Sequence, residues 1–222
     1  MSYHHSRFAH EFLSPRYELD CVYKDDGRYY ILPNGDHVPS VTTVISKQDG
    51  DWLKAWKARV GEDKANRIST QAKLRGTAVH LICEKYLLND PEYRKGSMSI
   101  NFSTFKSIRP HLDAHVGDIY GIEYNLFSEE LRTAGKSDLL CQWKGANSIV
   151  DFKTSKYPKE EDAIQSYFVQ ATCYALMAEE MYNVSIPNIT IIIAVDHEET
   201  LIFEKDKREY IKKVHQIFKE KR

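Results

Sequence analysis

Asp138, Asp151 and Lys153 are the residues of this sequence whose types and spacing could do chemistry. Asp138 falls near the middle of one expected strand, and Asp151 comes thirteen positions later (151 − 138 = 13), at the end of the next strand across a tight turn, so the two carboxylates can meet. In Asp151-Phe152-Lys153 the acid and the base are two apart on a strand and leave the same face. Two carboxylates, with the carbonyl of Phe152 between acid and lysine, offer hard oxygen ligands suited to Mg2+ or Mn2+. One or two such ions lower the pKa of a bound water and stabilise both oxygens of a phosphodiester displacement. Lys153 would orient that water or neutralise charge developing on phosphate. The same residues could also form a structural ion pair on a sheet, because Asp-x-Lys alone is a weak signal.

The elements that must position these side chains can be read from periodicity. Residues 29–32 and 37–38 flank Pro33-Asn34-Gly35-Asp36 and predict a hairpin, since Asn-Gly supplies the positive φ angles of a tight turn. Ser40 is the expected N-cap of a short helix carrying Val41, Val44 and Ile45. Helical spacing predicts an amphipathic helix over 51–68, another over 70–88 with a weak point at Gly76, and a third over 101–117 that Pro110 complicates. From 119 the pattern turns to strands at 119–127, 133–143 and 148–153, joined as an antiparallel meander. A helix over 160–182, a continuously apolar strand at 189–195, a strand at 201–204 and a helix over 207–219 follow. This order predicts an α/β fold, a mixed sheet flanked by helices, with a helical N-terminal region. One domain spanning 1–222 is expected, with the hairpin and helices in 1–117 and the catalytic core in 118–222.

Composition narrows the function classes. At 42% hydrophobic and 28% charged, the chain has the make-up of an ordinary soluble protein, and it holds no apolar run long enough for a membrane span. The opening Met-Ser-Tyr-His-His-Ser-Arg lacks a secretory pattern, which points to action inside a cell. Cys21, Cys83, Cys141 and Cys173 are scattered with no CxxC pair, so they read as free thiols rather than zinc or iron–sulfur ligands. No phosphate-loop motif is present, so ATP is not implied. A net charge of −1 means that any track for nucleic acid must be local.

Four short motifs in order resolve the choice between ion pair and active site. Gly135-Lys136-Ser137-Asp138, Asp151-Phe152-Lys153-Thr154, Gln170-Ala171-Thr172-Cys173-Tyr174 and an upstream His80 in Gly76-Thr77-Ala78-Val79-His80 resemble the PD-(D/E)xK nuclease superfamily, in its RecB-like exonuclease branch. Within it, Pro39-Ser40-Val41-Thr42-Thr43-Val44, Trp56-Lys57-Ala58-Arg59, Gly61-Glu62-Asp63 and Asp151-Phe152-Lys153-Thr154-Ser155 resemble the mitochondrial genome maintenance exonucleases and their phage relatives. The resemblance runs from about residue 38 to 182. It implies a restriction-endonuclease-like core and a metal-dependent DNA exonuclease acting at the free ends of single strands, in replication, recombination or repair.

Carried over by position, Asp138, Asp151 and Lys153 are implied as catalytic, with Gln170 and Tyr174 supporting them. His80, Asp138, Asp151 and the Phe152 carbonyl are implied as holders of one or two Mg2+ or Mn2+ ions, His80 as a neutral imidazole. Glu84, one helical turn beyond His80, is either a support for it or a solvated side chain. Glu123 reads on its own as an exposed strand residue, although the resemblance would allow an accessory acid. Ser40, Thr42, Arg75, Lys136 and Tyr174 are the expected DNA contacts, with Arg59, Lys64, Arg67, Lys73, Lys156 and Lys159 as further phosphate partners. Trp52, Trp56 and Tyr157 could stack on bases or pack in the core. DNA is the expected partner, and replication or recombination proteins are possible further ones. The expected compartment is the cytoplasm of a bacterium or a phage-infected host, with an organellar origin left open. Two other readings stand beside this one: an endonuclease on the same fold, and a DNA-binding module without chemistry.

Overall fold

A computed structural model describes residues 8–48 and 50–219, without the side chains of 50–54 and 219. The N-terminal region forms a three-stranded antiparallel sheet of β1 (Cys21–Lys24), β2 (Gly27–Ile31) and β3 (His37–Pro39). The expected hairpin is β2–β3, with Gly35 at φ 87° in its turn. β1 was not legible, because Cys21, Tyr23 and Lys24 are exposed and no apolar alternation announces the strand.

Helix α1 (Val41–Ser46) starts where its cap requires, with Ser40 Oγ accepting from the Thr43 N–H at 3.1 Å. The break expected between 68 and 70 lies elsewhere. Helix α2 (Gly50–Val60) ends and α3 (Glu62–Leu87) begins at Gly61, whose φ of 89° only glycine adopts without strain, and α3 runs unbroken through Gly76. Helix α4 (Ser99–His115) keeps Pro110 in its interior, because Phe105, Ile108 and Leu112 on the same helix are fully buried and outweigh one lost backbone hydrogen bond.

The main sheet has the order β4 (Val116–Ser128), β5 (Thr133–Trp143), β6 (Ala146–Ser155), β7 (Asn188–Val195) and β8 (Leu201–Asp206). Pairing is antiparallel except for β6 with β7, which run parallel. Parallel neighbours need a crossover. Here it is a 3-10 turn at Glu161–Ile164 leading into α5 (Gln165–Tyr182). A second 3-10 turn, Lys207–Glu209, precedes α6 (Ile211–Lys219), so the last helix starts four residues later than its amphipathic pattern suggested (211 − 207 = 4).

The sheet separates two cores. Ile149, Ile191, Ile193 and Leu140 pack with Phe168, Met177 and Val214 of α5 and α6. Val150, Phe152, Ile192 and Leu139 pack with Val79, Ile82, Ile108 and Leu112 of α3 and α4. Strand alternation therefore turns Asp151 and Lys153 towards α5 and leaves Phe152 on the α3 side. The mixed α/β architecture expected from the sequence is the one observed. Among the described residues, no helix is long and apolar enough to cross a membrane.

Candidate active site

Strands β5 and β6 pair from Trp143↔Ala146 to Leu139↔Val150 and then part. A side chain takes over where the ladder stops, as the Phe152 N–H donates to Asp138 Oδ2 at 2.8 Å. Helix α3 approaches the same peptide from the other side. His80 Nε2 lies 2.8 Å from the Phe152 carbonyl oxygen, which can only accept, while Nδ1 faces Asp138 Oδ1 at 3.3 Å. With an oxygen at each ring nitrogen, the imidazole, expected to be neutral as a metal ligand, favours its protonated form in the metal-free site. Burial pushes its pKa down, but the charge of Asp138 and its hydrogen bond outweigh burial and raise it to about 9. Burial in turn works to raise the Asp138 carboxyl, yet His80, Lys153 and the Phe152 N–H hold it below the usual carboxylate range.

Asp151 lies beneath this pair, 1% exposed. Burial raises its carboxyl to about 6, although the Lys153 ammonium is in direct ionic contact with Oδ2. Burial opposes the Lys153 charge as well, but Asp151 and Asp138 more than compensate and keep it protonated. The ammonium also donates to Gln170 Oε1 at 3.3 Å and sits 5.1 Å from the centre of the Tyr167 ring. Gln170 Nε2 donates in turn to the Tyr174 hydroxyl at 3.5 Å. The Tyr174 ring lies flat enough on β5 that a Cβ at Gly135 would come within 2.7 Å of it. The glycine of that motif is thus explained by close approach, not by backbone angle. Because Tyr174 is 2% exposed and belongs to the core packed by α5, only its rim reaches the cleft, where it meets Gly135 and Gln170.

Sequence reasoning undervalued Glu123. Strand β4 pairs Ile122↔Leu139 and Tyr124↔Ser137, which sets Glu123 opposite Asp138. Its φ of 45° is left-handed in mid-strand, a conformation uncommon for a non-glycine residue. The ligand atoms of His80, Glu123 and Asp138 all lie within 4.8 Å of one another. Burial and the charge of Asp138 raise the Glu123 carboxyl to about 7, despite Lys136 Nζ at 3.8 Å. Far from an exposed strand residue, Glu123 is half-buried at the centre of the group. The register of β4 against β5 was the signal that would have found it.

These groups form the floor of a cleft of about 680 Å³ between β2, α1 and α3, lined among others by Arg28, Thr42, Thr77 and Lys136. Thr42 and Lys136 are thus where a DNA contact could be made. Ser40 is not: it is 0% exposed, with its hydroxyl spent on capping α1 and on Thr43 Oγ1 at 2.9 Å. The Arg75 guanidinium is engaged by Asp196 Oδ2 at 2.5 Å and by the Ser155 carbonyl at 3.0 Å. Tyr157 is 67% exposed but does not line the cleft, and Trp56 is half-buried. The Trp52 side chain lies outside the described residues.

The donor set suits a divalent cation: several carboxylate oxygens, a backbone carbonyl and one imidazole are hard or borderline ligands of the kind Mg2+ and Mn2+ take. Asp151 Oδ2 is buried with no hydrogen-bond donor besides its ionic contact with Lys153, an acceptor with capacity to spare.

No family model matches the chain. It is 26% identical over 170 residues to mitochondrial genome maintenance exonuclease 1 of Homo sapiens, covering 71% of this chain and 49% of that protein. The exonuclease of the same name from Mus musculus is 25% identical over 130 residues, covering 55% and 38%. The chain is a homologue of these exonucleases. This supports the PD-(D/E)xK-like resemblance seen in its motifs, and it makes the chain a relative of nucleases by descent. The matched part spans about half, or less, of the curated relatives' length. Among solved structures, a candidate exonuclease from Eubacterium rectale overlaps 67% of this chain and 64% of its own at 16% identity, with a TM-score of 0.45.

Proposed function

We propose that this exonuclease homologue is an Mg2+- or Mn2+-dependent DNA exonuclease that hydrolyses phosphodiester bonds from the free ends of single strands, in replication, recombination or repair. The observation that carries the reading is the pairing of a cleft-facing His80–Glu123–Asp138 group with an Asp151–Lys153 ion pair beneath it, its acid buried and its ammonium reaching the cleft. One or two ions held by His80, Glu123, Asp138, Asp151 and the Phe152 carbonyl would supply Lewis acidity and a bound water of lowered pKa. Lys153, kept cationic by Asp151 and facing the cleft, neutralises charge that develops on the scissile phosphate. Gln170 fixes the Lys153 ammonium, and Tyr174, seated on Gly135, fixes Gln170. Thr42 and Lys136 meet the phosphate backbone, which makes binding salt-sensitive and independent of sequence.

The test uses labelled single-stranded DNA, linear and closed-circular, incubated with Mn2+ in the presence and absence of chelator. Linear DNA should lose its terminal label only with metal, and only with Lys153 intact. Equal loss of label with the Lys153→Ala variant would refute the assignment of the site. Efficient cutting of closed circles would make the enzyme an endonuclease instead.

A further inference from the structure

Arg75 was expected to touch DNA, and the structure gives its guanidinium another task. It bridges three elements: Arg75 leaves α3, its Nη1 pairs with Asp196 Oδ2 at 2.5 Å just past the end of β7, and its Nη2 donates to the Ser155 carbonyl at 3.0 Å at the end of β6. The Asp196 N–H donates to that same carbonyl at 3.1 Å, so the parallel strands and the helix are tied at one point. Arg75 Nε is buried without a partner, and the side chain is 20% exposed. A partly buried pair of this kind contributes little net stability, since desolvation offsets the attraction. What it does supply is direction.

Helix α3 meets β6 through polar groups at two carbonyls: Phe152, reached by His80, and Ser155, reached by Arg75. Five residues of α-helix separate the two pins, a rise of about 7.5 Å. On the N-terminal side of Arg75, residues 62–74 are exposed apart from Ala65, so Arg75 stands where the helix leaves the body of the protein. Apolar packing of Val79, Ile82 and Cys83 would tolerate a small rotation or slide of α3, whereas a two-acceptor guanidinium clasp does not.

We infer that the Arg75–Asp196–Ser155 clasp is a positioning device that fixes the rotation and height of α3, and so holds His80 on Asp138 and the Phe152 carbonyl. Arg75 acts through His80 and does not touch the reacting atoms. The inference rests on the nuclease reading for its kinetic arm only.

Arg75→Gln, Asp196→Asn and the double variant are compared with the unaltered protein in two measurements. One is kcat and KM on linear single-stranded DNA with Mn2+; the other is the His80 ring N–H signals in 15N-edited NMR of the metal-free protein. Each single change should lower kcat roughly tenfold, as loss of a group that orients a ligand does. The double variant should lose no more than the singles, because the residues act as one unit. KM and salt dependence should stay unchanged, and the His80 signals should shift or broaden in all three. Arg75→Lys keeps the charge but reaches one acceptor at a time, and should fall between; it serves if the glutamine variant does not fold. Unchanged turnover with unchanged His80 signals overturns the inference, as do losses that multiply in the double variant. A raised KM with a shallower salt dependence would make Arg75 a direct phosphate contact and equally overturn it. An unaltered protein without nuclease activity would sink the functional reading, and the His80 signals would still decide on the clasp.

Discussion

The five-stranded sheet carries two clusters of charged side chains, one at each end of the β5–β6 ladder. At the closed end, Glu204 accepts from Trp143 Nε1 at 2.5 Å and pairs with Lys144 Nζ at 2.7 Å, with the carboxylate side chain 41% exposed. Partial burial works to raise the Glu204 carboxyl, but the two donors together hold it below its usual value. At the open end, where β5 and β6 part, three carboxyls crowd among His80, Lys153 and Lys136, and their pKa values are driven apart. Asp138 is pushed down, Asp151 up to about 6 and Glu123 up to about 7. The first cluster satisfies its charges locally. The second leaves Asp151 and Glu123 raised by burial and by the charge of Asp138, and that strain on ionised acid is what a divalent ion would relieve.

The comparison breaks most visibly at Lys153. Removing its ammonium should lower turnover on linear DNA by about 10³-fold while the fold is kept, which circular dichroism would check alongside activity. Glu123→Gln comes next: calorimetry with Mn2+ should show affinity weakened by roughly 10- to 100-fold, and an unchanged affinity would remove Glu123 from the group.

A smaller effect concerns pH. His80 has a folded pKa of about 9, above its unfolded value, so its stabilisation is complete at low pH and is lost as pH rises through 9. Asp151 and Glu123 are also raised, to about 6 and about 7, and bind protons more tightly when folded, so their terms too are lost on going up. The metal-free protein should therefore melt about 5 °C lower at pH 9 than at pH 5, and Mn2+ should abolish the difference at the alkaline end. The smallest effect belongs to the closed end. Glu204→Gln should cost less than about 1 kcal/mol in denaturant melts and leave nuclease activity intact.

How much of this was legible depends on whether a feature is local. That Asp138, Asp151, Lys153, Gln170 and Tyr174 come together could be expected from the sequence, because each sits in a short motif on a strand or helix whose periodicity is strong. Ser40 was read correctly as a cap, and for that reason wrongly as a DNA contact, since the oxygen that caps is not free to bind. The burial of Glu123 and the ion pair of Arg75 were not legible because their partners, Asp138 and Asp196, are distant in the chain and come near only through strand register and helix placement. Helix α3 was cut at the wrong place because apolar spacing continues past Gly61, and only a backbone angle ends the preceding helix there.

Asp138 also serves as the last rung of the β5–β6 ladder, taking the Phe152 N–H where backbone pairing ceases. This bears on how an inactive form should be made for trapping a DNA complex. Alanine at 138 would orphan a partly buried amide and let the strands unzip towards Asp151, so loss of cutting and loss of architecture would be confounded. Asparagine at the same position still offers an oxygen to that amide, and alanine at Lys153 leaves the rung untouched. Either is the cleaner bait.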